Sequence, residues 1–104
     1  MLQELGYTIL DTNYRCRWGE VDIVARDGDD IVFVEVRTRS SARFGTPEES
    51  ITGAKTQRLV STAQEYLQSK HLDSTNWRID LVAVRMRSDG QLQSIDHLKY
   101  AVEL

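Results

Sequence analysis

Hydrophobic and polar positions alternate most clearly over residues 19–37, GEVDIVARDGDDIVFVEVR. Two runs rich in β-branched residues flank Asp27-Gly28-Asp29-Asp30. A central Gly-Asp pair suits a two-residue type II′ turn, so the stretch predicts a β-hairpin. With Gly28 and Asp29 as the loop, Val21 falls opposite Val36, Ile23 opposite Val34 and Ala25 opposite Val32, a wholly apolar face expected in the core. The other face pairs Val24 with Phe33 and Glu20 with Arg37, and between them sets Asp22 opposite Glu35.

On either side of the hairpin the pattern changes period. Residues 1–6, MLQELG, read as the last turn of a helix closed by Gly6, its front short or truncated. Tyr7 to Asp11 alternates, with Tyr7 and Ile9 on one side, as a first strand pairing with the one that begins near Gly19. Asn13 to Trp18 is a connector, and beyond Arg37 the segment Thr38 to Gly45 reads as a mobile, basic loop. Thr46, Pro47 and Glu49 fit N-cap, N1 and N3 of a helix start, and Gly53 breaks or kinks the chain beyond it. The main helix runs from about Ala54 to Lys70, with Leu59, Ala63, Tyr66, Leu67 and Lys70 on one stripe. Lys55 lies on that stripe one turn earlier, beside Arg58, so two cations lean toward the sheet where a helix start prefers acids. Snorkelling to solvent is the other reading of these cations.

Asp73 to Asn76 is a turn cluster, Trp77 to Met86 a strand, Arg85 to Gly90 a turn and Leu92 to Leu98 a last strand. Asp80 interrupts an apolar run, and a buried ion pair with Arg78 or a helix residue explains it as well as catalysis does. The order predicts an α/β fold with a mixed sheet: an antiparallel three-strand start, a right-handed helical crossover, and the strand from Trp77 parallel to the one ending at Arg37.

Composition narrows the function. A chain of 104 residues with 40% hydrophobic and 28% charged residues fits one soluble globular domain, residues 1–104. No apolar run approaches the ~18 residues of a membrane span and no signal peptide is visible, so the expected location is cytoplasmic, with no membrane partner. One cysteine, Cys16, and two histidines give neither an internal disulfide nor a zinc signature. A net charge of -3 argues against an indiscriminate nucleic-acid binder, yet six of the ten arginines fall between positions 15 and 43. Arg15, Arg17 and Trp18 in the connector combine groups that grip phosphates and stack on bases, and Arg39, Arg43 and Arg58 extend the basic set.

Asp22 and Glu35 are the candidate chemistry. Directly paired Cβ atoms lie about 4.5 to 5.5 Å apart, and two negative charges at about 5 Å and an effective dielectric of about 20 repel by roughly 3 kcal/mol. A shared proton, a neighbouring cation or a bound divalent metal removes most of that, and only the metal makes the pair useful for chemistry. The bland alternative pairs Glu20 with Arg37 and lets Asp22 and Glu35 splay to solvent or to other arginines.

Asp22, then Glu35-Val36-Arg37 on the next strand, then a helix carrying Lys55, resembles the PD-(D/E)XK nuclease superfamily. The fuller strings GEVDIVARDG and VFVEVRTR, with Gly45-x-Pro47-Glu48, Lys55-x-x-Arg58-Leu59, Ala63-x-x-Tyr66-Leu67 and Arg78-x-Asp80, resemble the YraN family of endonuclease-like proteins, itself similar to Holliday junction resolvases. The resemblance covers nearly the whole chain. It implies a restriction-endonuclease-like fold and hydrolysis of DNA phosphodiester bonds, in repair or recombination. It also implies a Mg²⁺ or Mn²⁺ site formed by Asp22, Glu35 and the Val36 carbonyl, with Glu20 as an outlying base or ligand. The partner implied is nucleic acid, DNA foremost, with a homodimer or protein partner left open. Two departures stand out. Arg37 occupies the family's lysine position and cannot exchange a proton, a task Lys55 is placed to take over. Relatives also begin with a longer helix bearing an acid. A non-catalytic nucleic-acid-binding or adaptor module on the same fold is the competing expectation.

Overall fold

The order of elements is β1 (Thr8–Cys16), β2 (Gly19–Asp27), β3 (Asp30–Arg39), α1 (Gly53–Ser69), β4 (Trp77–Met86) and β5 (Leu92–Leu98). The computed structural model describes residues 6–39, 53–72 and 74–99. The five strands form one sheet in sequence order, β1-β2-β3-β4-β5. Neighbours are antiparallel except β3 and β4, which run parallel from Ile31 beside Trp77 to Arg39 beside Arg85. A parallel pair needs a long crossover, and the chain between these two strands contains α1. The mixed α/β expectation is met.

The hairpin keeps the expected register from Asp27 opposite Asp30 to Ile23 opposite Val34. Gly28 has φ 61° while Asp29 does not take a positive φ, as a type II′ turn requires. Three expectations about the strands are corrected. β1 extends through Asn13 to Cys16, because Thr12, Tyr14 and Arg15 continue to pair with β2 and the irregularity at Leu10 and the positive φ of Asn13 absorb the break in alternation. β3 continues through Thr38 and Arg39, held by pairing with Val84 and Arg85, so these two residues are strand and not the loop expected from Thr38. The β2–β3 ladder stops at Ile23 and Val34, so neither Val21 and Val36 nor Asp22 and Glu35 are ladder partners.

Helix α1 covers one face of the sheet. Its buried residues Leu59, Thr62, Ala63, Tyr66 and Leu67 follow the i, i+3, i+4, i+7, i+8 spacing of an amphipathic helix. They include Thr62, whose hydroxyl donates to the Arg58 carbonyl at 2.8 Å and so spends no unpaired polar group in the core. Lys70, expected on this stripe, lies past the helix end and is exposed, its Nζ 5.8 Å from the Tyr66 ring centre. The end itself is a Schellman turn: Leu72 N–H donates to Leu67 C=O, His71 N–H donates to Gln68 C=O, and His71 takes the positive φ usually given to glycine. Leu59, Ala63, Tyr66 and Leu67 pack on Val21, Val24, Ile31, Phe33 and Ile79. Tyr7, Ala25, Val32, Val34 and Val82 form a second cluster, with Ile9 and Ile23 against it. Val21 therefore leaves the face of Ile23 and Ala25 expected for it, and joins the helix side where β2 parts from β3. The residues expected to precede Gly6 as a helix and those proposed as the Thr46 helix start lie outside the described residues.

On the face away from α1, β4 carries Arg78 and Asp80, 4% and 0% exposed. Arg78 Nε donates to Asp80 Oδ1 at 3.0 Å, and its Nη2 donates to Asp27 Oδ2 at 3.0 Å and to the Tyr7 hydroxyl at 2.6 Å. Nη1 lies 3.7 Å from Asp30, and His97 Nε2 of β5 lies 2.8 Å from Asp80 Oδ2. The ion pair offered as the plain reading of Asp80 is present, and it reaches all five strands or their flanks. No helix among the described residues is long and apolar enough to cross a membrane.

Candidate active site

The parting of β2 and β3 organises the site. In a two-residue hairpin the pairs that exchange both hydrogen bonds alternate outward from the turn. A ladder continued past Ile23 would therefore give the Val36 N–H to Val21. Instead Val36 N–H donates to Asp22 Oδ2 at 2.7 Å. The Asp22 carboxylate stands where a backbone carbonyl would, which fixes its orientation. Because N–H and C=O of one residue point to the same side of an extended strand, the Val36 carbonyl also faces the gap.

Glu35 comes next on the helix side of β3 and is buried. Its Oε1 accepts an ion pair from Arg37 Nη2 at 2.8 Å and lies 3.6 Å from Lys55 Nζ of α1. Lys55 thus leans inward as its stripe position implies, and does not snorkel away. Even with these cations, Glu35 is pushed up from 4.5 to about 7, first by burial, with Asp22 and Glu20 adding to the rise and Arg37 opposing it. Of the remedies open for two close carboxylates, a neighbouring cation is present and a proton is held readily. Arg37 Nε is the one buried side-chain polar atom without a hydrogen-bond partner among the described residues.

Glu20 is exposed and pairs with Arg15, Nε to Oε2 at 2.8 Å, so the expected Glu20–Arg37 pair is not formed. The buried Glu35 carboxylate outcompetes an exposed one for Arg37, since its charge is less screened. The Arg17 guanidinium lies 4.7 Å over the Trp18 ring, which is 44% exposed. Arg58 is exposed on α1, and a Cβ at Gly19 would stand 3.8 Å from its Cβ and 3.5 Å from Thr62 Oγ1. Those are ordinary contact distances, so space does not demand glycine here; its φ of 148° does. Arg39 ends β3, and Arg43 lies outside the described residues. Asp22, Glu35, Arg37 and Lys55 are brought together, whereas Arg15, Arg17 and Trp18 gather at the β1–β2 turn.

No three of His, Cys, Asp and Glu among the described residues are grouped to hold a metal. Magnesium does not require three: it keeps several waters and is commonly bound through one or two carboxylates plus substrate phosphate. Two carboxylates and the inward side of Val36 make an oxygen-only donor set of that kind.

A family model described as "Uncharacterised protein family UPF0102" matches residues 1–84. The chain belongs to the UPF0102 family. That bears out the YraN resemblance at the level of the family. A UPF0102 protein of Syntrophus aciditrophicus is 50% identical over 103 residues, 99% of this chain and 80% of the relative. One from Moorella thermoacetica is 48% identical over 97% of this chain and 84% of its own, and one from Chloroflexus aurantiacus 50% identical over 97% and 82%. Within this UPF0102 chain, residue-level reading missed the hydrogen bond from Val36 to Asp22, since nothing in a one-dimensional pattern says where a ladder ends. It also missed Ser61, Gln64, Glu65 and Gln68, which face Arg17 and Trp18 across a concavity of about 220 Å³. The signal for them was their position on the helix flank next to the buried stripe.

Proposed function

We propose that this protein is a metal-dependent endonuclease of the PD-(D/E)XK type, hydrolysing DNA phosphodiester bonds in the cytoplasm during repair or recombination. The observation that carries the reading is the convergence of Asp22 from β2, Glu35 and Arg37 from β3 and Lys55 from α1 where the β2–β3 ladder opens. Asp22, Glu35 and the Val36 carbonyl are the groups that would hold Mg²⁺ or Mn²⁺. When bound, the ion supplies Lewis-acid polarisation of the scissile phosphate and a lowered pKa for the attacking water.

The chain's own residues do the rest. Arg37 is partly exposed while its Nη2 holds Glu35, and its outward edge can meet a phosphate oxygen and stabilise the negative charge that builds on it. Lys55 orients the attacking water beside Glu35 and contributes a second positive charge. As water adds to phosphorus and the bond to the sugar oxygen breaks, the water's proton passes to a site carboxylate, with Glu20 able to take it through the oxygen not engaged by Arg15, and the departing sugar oxygen takes a proton from solvent water. Burial of Glu35 beneath α1 keeps bulk water from weakening these interactions.

A second reading is favoured by one contact. Arg37 holds Glu35 at 2.8 Å and cannot deprotonate, an arrangement suited to a nucleic-acid-binding or adaptor module that grips phosphate without cutting. The substitution Arg37→Lys separates the two. In the nuclease reading it raises Mg²⁺-dependent cleavage of branched or single-stranded DNA, and Glu35→Gln in that background abolishes it. Loss of affinity with no cleavage in either protein, across a range of DNA forms, sinks the nuclease reading.

A further inference from the structure

A large aromatic ring left nearly half in solvent at a tight turn needs a reason. Trp18 belongs to the two-residue link between Cys16 and Gly19, which are cross-strand partners, and Gly19 at the end of that link lies within a Cβ's van der Waals reach of Arg58 and Thr62 of α1. The indole therefore stands beside the helix. Between them lies a concavity of about 220 Å³ lined by Arg17, Trp18, Ser61, Gln64, Glu65 and Gln68. A second, of about 310 Å³, is lined by Gln64, Leu67, Gln68 and Trp77, so the two glutamines stand between two tryptophans.

The chemistry of this lining selects its ligand. At about 220 Å³ the first concavity is smaller than the ~300 Å³ at which pockets for drug-sized molecules begin, and suits one flat ring system. The two carboxamides and the Ser61 hydroxyl both donate and accept, which matches the edge of any nucleobase. Glu65 repels phosphate from the floor, so a backbone must run outside, toward Arg17 and Arg58. The Arg17 guanidinium covers one face of the Trp18 ring, and a base would stack on the opposite face or displace it. Ser61 and Gln64 stand six and nine residues beyond Lys55 on α1, about 9 to 14 Å along the helix at 1.5 Å per residue. At 3.6 residues per turn they also lie about a third and a half of a turn round the helix from Lys55, so a strand with a phosphate at Lys55 must pass round the flank of α1, a span of a few nucleotides, to lay a base here.

We infer that the Trp18 concavity binds an unpaired base, with Gln64 and Gln68 dividing it from a second such slot at Trp77, and that the substrate is single-stranded DNA or the unpaired stretch of a branched one. This rests on the nucleic-acid reading above and narrows it, because a base inside a duplex cannot enter.

The test uses the full chain without metal and three probes of equal length: oligothymidylate, the same backbone with abasic sites, and a blunt duplex. Oligothymidylate should bind tightest and quench Trp18, read in Trp77→Phe because the chain has only two tryptophans. Trp18→Ala should weaken that binding about 5- to 150-fold, the loss of one stacked base at about 1 to 3 kcal/mol, and Trp18→Phe should restore most of it. Abasic and normal strands binding equally would overturn the pocket while leaving a phosphate-binding nuclease standing. So would an unchanged affinity in Trp18→Ala whose melting curve matches wild type. No binding to any probe would overturn both readings.

Discussion

Raising the pH from 4.5 to 8 should cost the folded protein stability through Glu35. The group is held at about 7 in the native state against an ordinary 4.5, chiefly by burial. Between those values the unfolded chain releases the proton and the native chain keeps it, so the unfolded state binds fewer protons and stability falls as pH rises. Below about 4.5 both states are protonated and above about 7 both are ionised, so the loss is confined to that window. The difference between 4.5 and about 7 corresponds to about 3 kcal/mol at 1.36 kcal/mol per pKa unit; screening at the open edge of the site reduces this to about 1 to 2 kcal/mol. Urea unfolding of wild type and Glu35→Gln from pH 4 to 8 reads the term, because the titrating groups that do not interact with Glu35 cancel in the difference. Relative to wild type, Glu35→Gln should gain about 1 to 2 kcal/mol between pH 4 and pH 8, whatever its absolute stability without the Arg37 ion pair. Millimolar Mg²⁺ should flatten the wild-type profile by stabilising the ionised form, and leave Glu35→Gln unchanged. Parallel profiles for the two proteins would refute the reasoning, since Glu35 would then titrate alike in both states.

Asp22→Asn keeps an oxygen for the Val36 N–H and removes a like charge beside Glu35, so metal-free stability at pH 8 should be equal or higher, with no gain from Mg²⁺. Asp22→Ala should instead lose about 1 to 3 kcal/mol in urea melts, because a backbone donor is left without its acceptor. Arg78→Met strips the buried Asp80 of its cation and should cost about 3 to 5 kcal/mol. Pairing it with Asp80→Leu should recover part of that loss in the same thermal melt, and a double variant no better than the single one would remove uncompensated charge as the cause.

What the sequence revealed was set by local rules. Alternation and a Gly-Asp turn fix the register of Ile23 with Val34, and turn residues bound β4 and β5 at their observed ends. The convergence of Asp22, Glu35 and Lys55 came from two periods, 2 for the strands and 3.6 for the helix. What stayed hidden depends on competition between groups. Whether Val36 bonds to Val21 or to the Asp22 side chain is settled by strand splay, and whether Arg37 chooses Glu20 or Glu35 by burial. Neither has a periodic signature. His71 closing a helix in place of glycine, and Thr62 entering the core by bonding its own helix, are likewise exceptions to propensity that tertiary packing sustains.

The clamp around Arg78 also joins the most local turn of the sheet to its least local pairing. Asp27 and Asp30 face each other across the hairpin tip, so at neutral pH an isolated β1–β2–β3 meander closes its most local turn against like charge. The cation that reconciles them sits on β4, which reaches β3 only after the chain has passed through α1, a slow non-local pairing. Arg78 thereby ties a local turn to a non-local strand pair, so the hairpin tip has its charge balance only with β4 in place.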